Sequence, residues 1–267
     1  MSARDPGLAF TDGALQFEAW SEKLWDPMGR GVVTEAMLQP GEKVLDACCG
    51  TGAATIPAAL AVGPEGSVDG VDLSTGLLRI AAANLAENGI LNTTLTEADV
   101  TAWRGHRTFD AVLCSYSMFF FADMEAGVEH LASMLRPGGR LVTSTWIEGA
   151  LEPFATRIFE AAIKERPRLA NVVPLANQNM ARVATVESLT TWLGARGFED
   201  VSVSTHPLTL TVDDAMAWNL VMGSGWRTFL PRDPEAIARV RREFIQSVGP
   251  RIEMNSDAMI ATASVPR

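Results

Sequence analysis

The sequence predicts an α/β fold, a mostly parallel sheet of seven strands with helices on both faces and helical insertions over one edge. Three observations predict it. From residue 42 onward, short β-rich runs alternate with amphipathic stretches, the pattern that strand–helix–strand crossovers leave in a sequence. The amphipathic stretches stop at Asn88-Gly89, at Arg136-Pro137-Gly138-Gly139 and at Arg196-Gly197, and helices end on such residues. The chain has 267 residues, 47% hydrophobic and 20% charged, with no internal repeat, which suits one elaborated domain with a real core.

In chain order, strands are expected over residues 43–48, 67–72, 94–99, 110–115, 140–146 and 201–208, with a last apolar strand over 259–265. Helices are expected over 53–62, 75–88, 124–135 and 186–196, and a long helical stretch over 234–248. Residues 10–38, 150–184 and 212–250 stand outside the alternation and read as helical lids. The chain therefore divides into an N-terminal helical lid over 1–41 and a main domain over 42–267 with insertions at about 150–184 and 212–250. Ligands of open α/β sheets sit beyond the carboxyl ends of the strands, so insertions covering that edge are expected to decide what the protein acts on.

Composition removes several classes. The net charge of −10, with no basic run, would repel a nucleic-acid backbone. No run of about 18 apolar residues reads as a membrane span, and the first thirty residues lack a secretory pattern, so a cytoplasmic protein is expected. Cys48, Cys49 and Cys114 fit neither a disulfide framework nor a metal spacing and read as reduced thiols, with no metal site. The expected partner is a small molecule, and a homodimer is compatible with this composition.

The sharpest motif is Val44-Leu45-Asp46-Ala47-Cys48-Cys49-Gly50-Thr51-Gly52, a buried strand ending in an acid and passing through a glycine turn into a helix. Glycine at such a turn lets the backbone approach a ligand, although a tight structural turn would read the same. Asp72 closes the next strand about twenty residues on, the spacing at which a carboxylate accepts both ribose hydroxyls. That spacing serves a nicotinamide dinucleotide as well as other adenosine compounds. A pyrophosphate binder, however, wants Gly or Ala where Thr55 stands, and Asp46 before the turn would repel a diphosphate and suit a cation. A positively charged nucleoside is favoured. Asp99, after the third strand in Glu97-Ala98-Asp99-Val100, is placed to take the adenine amino group, or is an ordinary strand-end acid.

With these motifs in place the chain resembles the class I S-adenosylmethionine-dependent methyltransferases, closely over residues 42–148 and loosely beyond. Val44 to Gly52 resembles the family's first motif, Gly70-Val71-Asp72-Leu73-Ser74 the second and Ala98-Asp99-Val100 the adenine motif; Phe109 to Ser115 and Leu135 to Leu141 look like the fourth strand and the turn into the fifth. Met118-Phe119-Phe120 with Trp146 is most similar to the bacterial small-molecule enzymes of the ubiquinone and menaquinone C-methyltransferase type. The resemblance implies a Rossmann-like sheet and S-adenosylmethionine as cofactor. It implies that Gly50, Gly52 and the backbone of Ala47 and Thr51 approach the methionine half, and that Asp46 holds its ammonium. Asp72 then binds the ribose, Leu73 and Val100 sandwich the adenine, Asp99 meets its amino group, and Cys114 and Ser115 line the sulfonium end. One departure stands out, since Cys48 occupies the family's usual glycine, and its side chain either crowds the cofactor or points into the core.

The implied activity is methyl transfer to a small apolar or aromatic molecule. The alternatives are a protein of the same fold using the cofactor for cyclisation or regulation, and, less favoured by Thr55 and Asp46, a nicotinamide-dependent oxidoreductase. Should a base be needed, His206 at the end of the sixth strand and Tyr116 after the fourth are the topologically placed candidates, while His106 lies at the wrong edge and His130 within a helix. Tyr116, Met118, Phe119, Trp146, Met222 and Trp226, with Phe120 and Phe121, are expected around the acceptor, or in the core. Trp20, Trp25 and Arg30 are expected to close over the cofactor, and Asp123 to cap a helix. On this division the insertions at 150–184 and 212–250 choose the acceptor and leave cofactor affinity alone.

Overall fold

The computed structural model describes residues 6–106 and 108–267; the first five residues of the expected lid lie outside the described residues. The chain opens with α1 (Pro6–Asp12), α2 (Ala14–Glu18), a π-helical turn over Ser21–Trp25 and α3 (Asp26–Ala36). Then come β1 (Lys43–Ala47), α4 (Thr55–Val62), β2 (Ser67–Asp72), α5 (Thr75–Glu87), β3 (Thr93–Glu97) and β4 (Phe109–Ser115). A 3-10 turn over Met118–Phe120 leads to α6 (Met124–Ser133) and β5 (Leu135–Trp146). The first insertion holds α7 (Phe154–Glu165) and α8 (Leu175–Ala181), followed by α9 (Val186–Gly194) and β6 (Glu199–His206). The second lies between β7 (Thr209–Asp213) and β8 (Arg251–Asn255) and holds α10 (Asp214–Gly223), a 3-10 turn over Gly225–Phe229 and α11 (Pro234–Val248), before β9 (Ala258–Ser264) closes the chain.

The sheet has seven strands in the order β3-β2-β1-β4-β5-β9-β6, and β9 alone runs antiparallel to its neighbours. The strand pattern explains its burial. Along β1 and β4, Val44, Ala111 and Leu113 face α3 and α4, where Val32, Ala36, Ala58 and Val62 cover them, while Leu45, Ala47, Val112 and Cys114 face the larger core with Val128 and Leu131 of α6. Strands buried on both faces read as continuous apolar runs, which is why these were visible in the sequence.

Two differences from expectation bear on the site and its insertions. The third strand ends at Glu97, so Asp99 stands in an exposed turn beyond it. The second insertion is not purely helical, because β7 and β8 pair antiparallel at its base, joining Thr209 to Asn255 and Asp213 to Arg251. Both strands are five residues long with one fully buried residue each, and such polar alternation across forty residues leaves no local signal. No helix among the described residues is long and apolar enough to cross a membrane.

Helix ends follow their sequence signals. Thr185 and Ser188 form a reciprocal capping box at α9, and the Asp123 carboxylate accepts a hydrogen bond of 2.9 Å from the Ala126 amide at the start of α6. Replacing Asp123 with Ala is expected to cost about 1 kcal/mol of stability. Urea unfolding of the two proteins checks this, with an unchanged midpoint contradicting the cap.

Candidate active site

The turn after β1 winds through the left-handed region at Cys48, Gly50 and Gly52, with φ of 60°, 58° and 95°. Glycine adopts that region freely and cysteine does so at a cost, so the position of Cys48 is the one where a glycine would relieve strain. Its side chain packs toward the core beside Cys114 and Ser117 and does not crowd the turn. Cys49 turns the other way, against Gly70 of β2, and its amide donates to the Val71 carbonyl at 3.1 Å. Burial pushes all three thiols up, Cys114 to about 12, which makes them inert packing groups.

Asp72 holds the turn. One carboxylate oxygen accepts from the Gly50 amide at 2.9 Å and the other from the Ser74 amide at 2.8 Å, which joins the end of β2 to both the glycine turn and the start of α5. Burial raises its pKa, and these amides oppose the rise. Each oxygen keeps a further acceptor site for a hydroxyl. Asp46 is buried more deeply: one oxygen accepts from the Thr55 hydroxyl at 2.6 Å, and the other has no partner. Burial, with Asp72 nearby, pushes its pKa up to about 7. Asp46 pairs in register with Leu113, so Ser115, two residues farther along β4, presents its side chain on the same face. The Ser115 hydroxyl is also buried and without a partner. Two orphaned buried polar groups thus stand at neighbouring strand ends.

The N-terminal lid lies on this turn. A Cβ built on Gly50 would sit 3.7 Å from the Phe17 ring, and the Asn84 amide donates both to the Thr51 carbonyl at 3.0 Å and to Glu18 at 3.1 Å. Phe17 stacks on Trp25 at 4.6 Å and 7°. Trp25 in turn meets Tyr116 and Trp146, whose rings are 4.4 Å apart. These four rings close the carboxyl edge above β1, β4 and β5.

Other expected residues fall elsewhere. His206 is 2.9 Å from Ser204 Oγ and 3.4 Å from Glu35, under Gly31 of α3, on a strand three places from β4 and so about 14 Å away at ~4.8 Å per strand. It ties β6 to α3 and does not reach the edge. Tyr116 does reach it, but its hydroxyl donates to Met28 Sδ at 2.8 Å, and burial holds its pKa well above the ordinary range, which disfavours the phenolate that a base would need. Met118 and Phe119 are buried in the core: Met118 Sδ accepts from Thr143, and Asn179 binds the Phe119 and Phe121 carbonyls. Trp146 is in the aromatic group, and Met222 and Trp226 are half-buried against the core in the second insertion. Leu73 is 53% exposed while Val100 is buried, and Asp99 is engaged by the Thr101 amide and hydroxyl at 2.9 and 2.7 Å. Of the three lid residues expected over the cofactor, Trp25 joins the rings at the edge, Trp20 is buried against α10 and Arg30 is exposed. The residues that sequence reasoning missed are Phe17, Glu18, Ser74 and Asn84, and it read Thr55 only as a departure from a pyrophosphate fingerprint.

A family profile described as a methyltransferase domain matches residues 44–139. The aklanonic acid methyltransferase DauC of Streptomyces sp. is 33% identical over 159 residues, which cover 59% of this chain and 72% of that protein. The chain belongs to the S-adenosylmethionine-dependent methyltransferases. A demethylmenaquinone methyltransferase of Symbiobacterium thermophilum is 31% identical over 121 residues, 44% of this chain and 48% of that one, so this methyltransferase spans about half the length of that relative. The crystal structure of the N-methyltransferase NodS from Bradyrhizobium japonicum with S-adenosylhomocysteine shares the fold, with a TM-score of 0.55 at 12% identity over 98% of this chain and 100% of that one. The residues present fit the methyltransferase cofactor: a braced carboxylate with spare acceptor sites suits two hydroxyls, and an orphaned buried carboxylate oxygen beside an orphaned hydroxyl suits an ammonium.

Because the folded-state pKa of Asp46 lies near 7 and the ordinary value is 3.8, folding takes up a proton between about pH 4 and 7. This group's contribution to stability is therefore greatest at low pH and declines as pH rises through that window, levelling above it. In Asp46→Asn the decline should vanish, so the stability difference between variant and wild type should widen in the variant's favour from pH 4.5 to 7.5. Urea melts across that range check it, and a difference independent of pH would contradict the burial of an ionisable Asp46.

Proposed function

We propose that this methyltransferase transfers the methyl group of S-adenosylmethionine to a small apolar or aromatic acceptor. The observation that carries the reading is the pair of acids at adjacent strand ends, Asp72 braced by two amides and Asp46 with one unpartnered oxygen. In this reading Asp72 receives the ribose hydroxyls, Asp46 and Ser115 hold the amino-acid ammonium, and the turn at Gly50, Thr51 and Gly52 lies along the methionine half. Leu73 and Asp99 stand at the exposed adenine end. The bound cofactor supplies a methyl group on a sulfonium, a leaving group that needs no protonation.

The protein's own residues then align and exclude water, which is most of what an in-line displacement asks of an enzyme. Phe17, Trp25, Tyr116 and Trp146 make the edge apolar and favour a flat or apolar acceptor. The titratable side chains identified at this edge, Asp46, Asp72 and Tyr116 with the cysteine thiols, are each buried or bonded to a structural partner. The acceptor must bring its own nucleophilicity. The names of the curated relatives, methyltransferases of aklanonic acid and demethylmenaquinone, support a small-molecule acceptor.

The test of the reading is S-adenosylhomocysteine formation with a panel of small aromatic and enolic acceptors, beside calorimetric titration with S-adenosylhomocysteine and NADH. Binding of NADH alone would overturn it. Asp72→Ala should weaken S-adenosylhomocysteine binding about tenfold to a hundredfold, the worth of charge-assisted bonds to two hydroxyls. An unchanged dissociation constant in a folded variant would remove the ribose role. His206→Ala should leave kcat and its pH profile as they are, since the imidazole is three strands from β4; a fall in kcat with loss of the acidic limb would restore it as a base.

A further inference from the structure

The second insertion was expected to serve the acceptor alone, yet its first helix is packed into the cofactor lid. At two positions the backbones touch with no room for a side chain: a Cβ on Gly13 would collide with the Met222 carbonyl oxygen, and a Cβ on Gly223 would collide with the Phe17 amide nitrogen, 2.7 Å from the Gln16 carbonyl carbon and the Phe17 Cα. The Trp20 indole, 1% exposed, donates to the Met216 carbonyl at 3.2 Å, and Lys23 reaches the Met216 sulfur. On the far side, α1 is seated against α5, where a Cβ on Gly76 would meet the Thr11 carbonyl and the Thr11 and Ser74 hydroxyls are 3.0 Å apart. The segment carrying Phe17 is thus clamped between α5, which begins at the Asp72–Ser74 bond, and α10 of the insertion.

We infer that Gly223 is a positioning residue for the cofactor: by letting α10 lie directly on the Phe17 backbone, it holds the Phe17 ring over the Gly50 turn. This rests on the cofactor reading above and goes beyond it, because it places a determinant of cofactor affinity inside the insertion that faces the acceptor. The Phe17 ring, stacked on Trp25, covers the part of the turn assigned to the amino-acid half of the cofactor, whereas the adenine end at Leu73 is open. Overpacking at Gly223 has to move α2, since every atom it meets there is backbone. Movement of α2 lifts the ring.

The consequence distinguishes positioning from general loosening. Gly223→Ala should weaken S-adenosylhomocysteine about three- to tenfold, the worth of one displaced aromatic contact. It should leave methylthioadenosine, which has the adenosine but no amino-acid tail, bound as in wild type. Phe17→Ala should show the same split, and adding Gly223→Ala to Phe17→Ala should cause little further loss. Calorimetric titration of both ligands into the full chain and the three variants reads this directly. Equal losses for both ligands, wild-type affinity for S-adenosylhomocysteine in folded Gly223→Ala, or additive losses in the double variant would each overturn the inference. If Gly223→Ala gives no cooperative melt, Trp20→Phe, which deletes the indole bond to Met216, carries the same test with the same split expected and equal losses counting against it. Wild-type protein that binds neither ligand would overturn the cofactor reading itself, a result separate from any pattern among the variants.

Discussion

The Asp72 carboxylate bound to the Gly50 and Ser74 amides is the interaction on which the rest of the site depends. A buried carboxylate is costly unless hydrogen-bonded, and here the donors are backbone groups that the fold would otherwise leave unpaired at a turn and at a helix start. One side chain therefore satisfies two needs and sets the distance between β2, the glycine turn and α5. The left-handed residues Cys48, Gly50 and Gly52 shape the turn so that the Gly50 amide points at Asp72. Ser74, whose amide binds Asp72, also caps α5 through its hydroxyl and contacts Thr11 of the lid. The lid, the turn and the sheet edge are built out from that one carboxylate.

Beside it stands an acid with fewer donors. Asp46 has only the Thr55 hydroxyl, and its second oxygen is buried without a partner; burial disfavours the ionised form of both acids, and at Asp72 the backbone amides oppose that effect. Two carboxylates at neighbouring strand ends would repel if both were ionised and left without a counter-charge. A cation at that edge resolves the conflict, since it pairs with the unpartnered oxygen of one and relieves the other. An anionic diphosphate would worsen it. The electrostatics of the empty-handed oxygen thus select the sign of the ligand, and they agree with the family to which the chain belongs.

Much of this was legible in the residues because it is local. The strands of the parallel sheet announce themselves as apolar runs ending in acids, and the glycine turn with Asp72 behind it is a short-range pattern. The cap at Asp123 needed only the helix signal after it. What was hidden is what depends on distant chain segments meeting. Phe17 looks like any apolar residue on a short helix until the fold sets it over Gly50, and Asn84 lies on the polar side of α5 until Thr51 and Glu18 arrive. His206 misled for the same reason. Its place at a strand end was read correctly, but strand order puts β9 and β5 between it and β4, and order across a sheet is not written in any one strand. Met118 and Phe119 show the limit of hydrophobicity as evidence, since a core and an apolar pocket want the same side chains.

The lid is built for close approach. Where α3 crosses the turn, Gly29 lets its backbone rest on the Ala53 carbonyl, and Gly13 and Gly223 do the same between the lid and α10. Backbone resting on backbone leaves no flexible side chain to absorb a shift, so displacement at one seam is passed to the next rather than dissipated. On the proposed reading the edge acts by alignment and dryness, and that stiffness serves it. It also explains why the strain at Cys48 is tolerable: the turn is held by Asp72 from one side and by the lid from the other, so a residue that glycine would suit better keeps its left-handed conformation at a cost spread over a rigid surround.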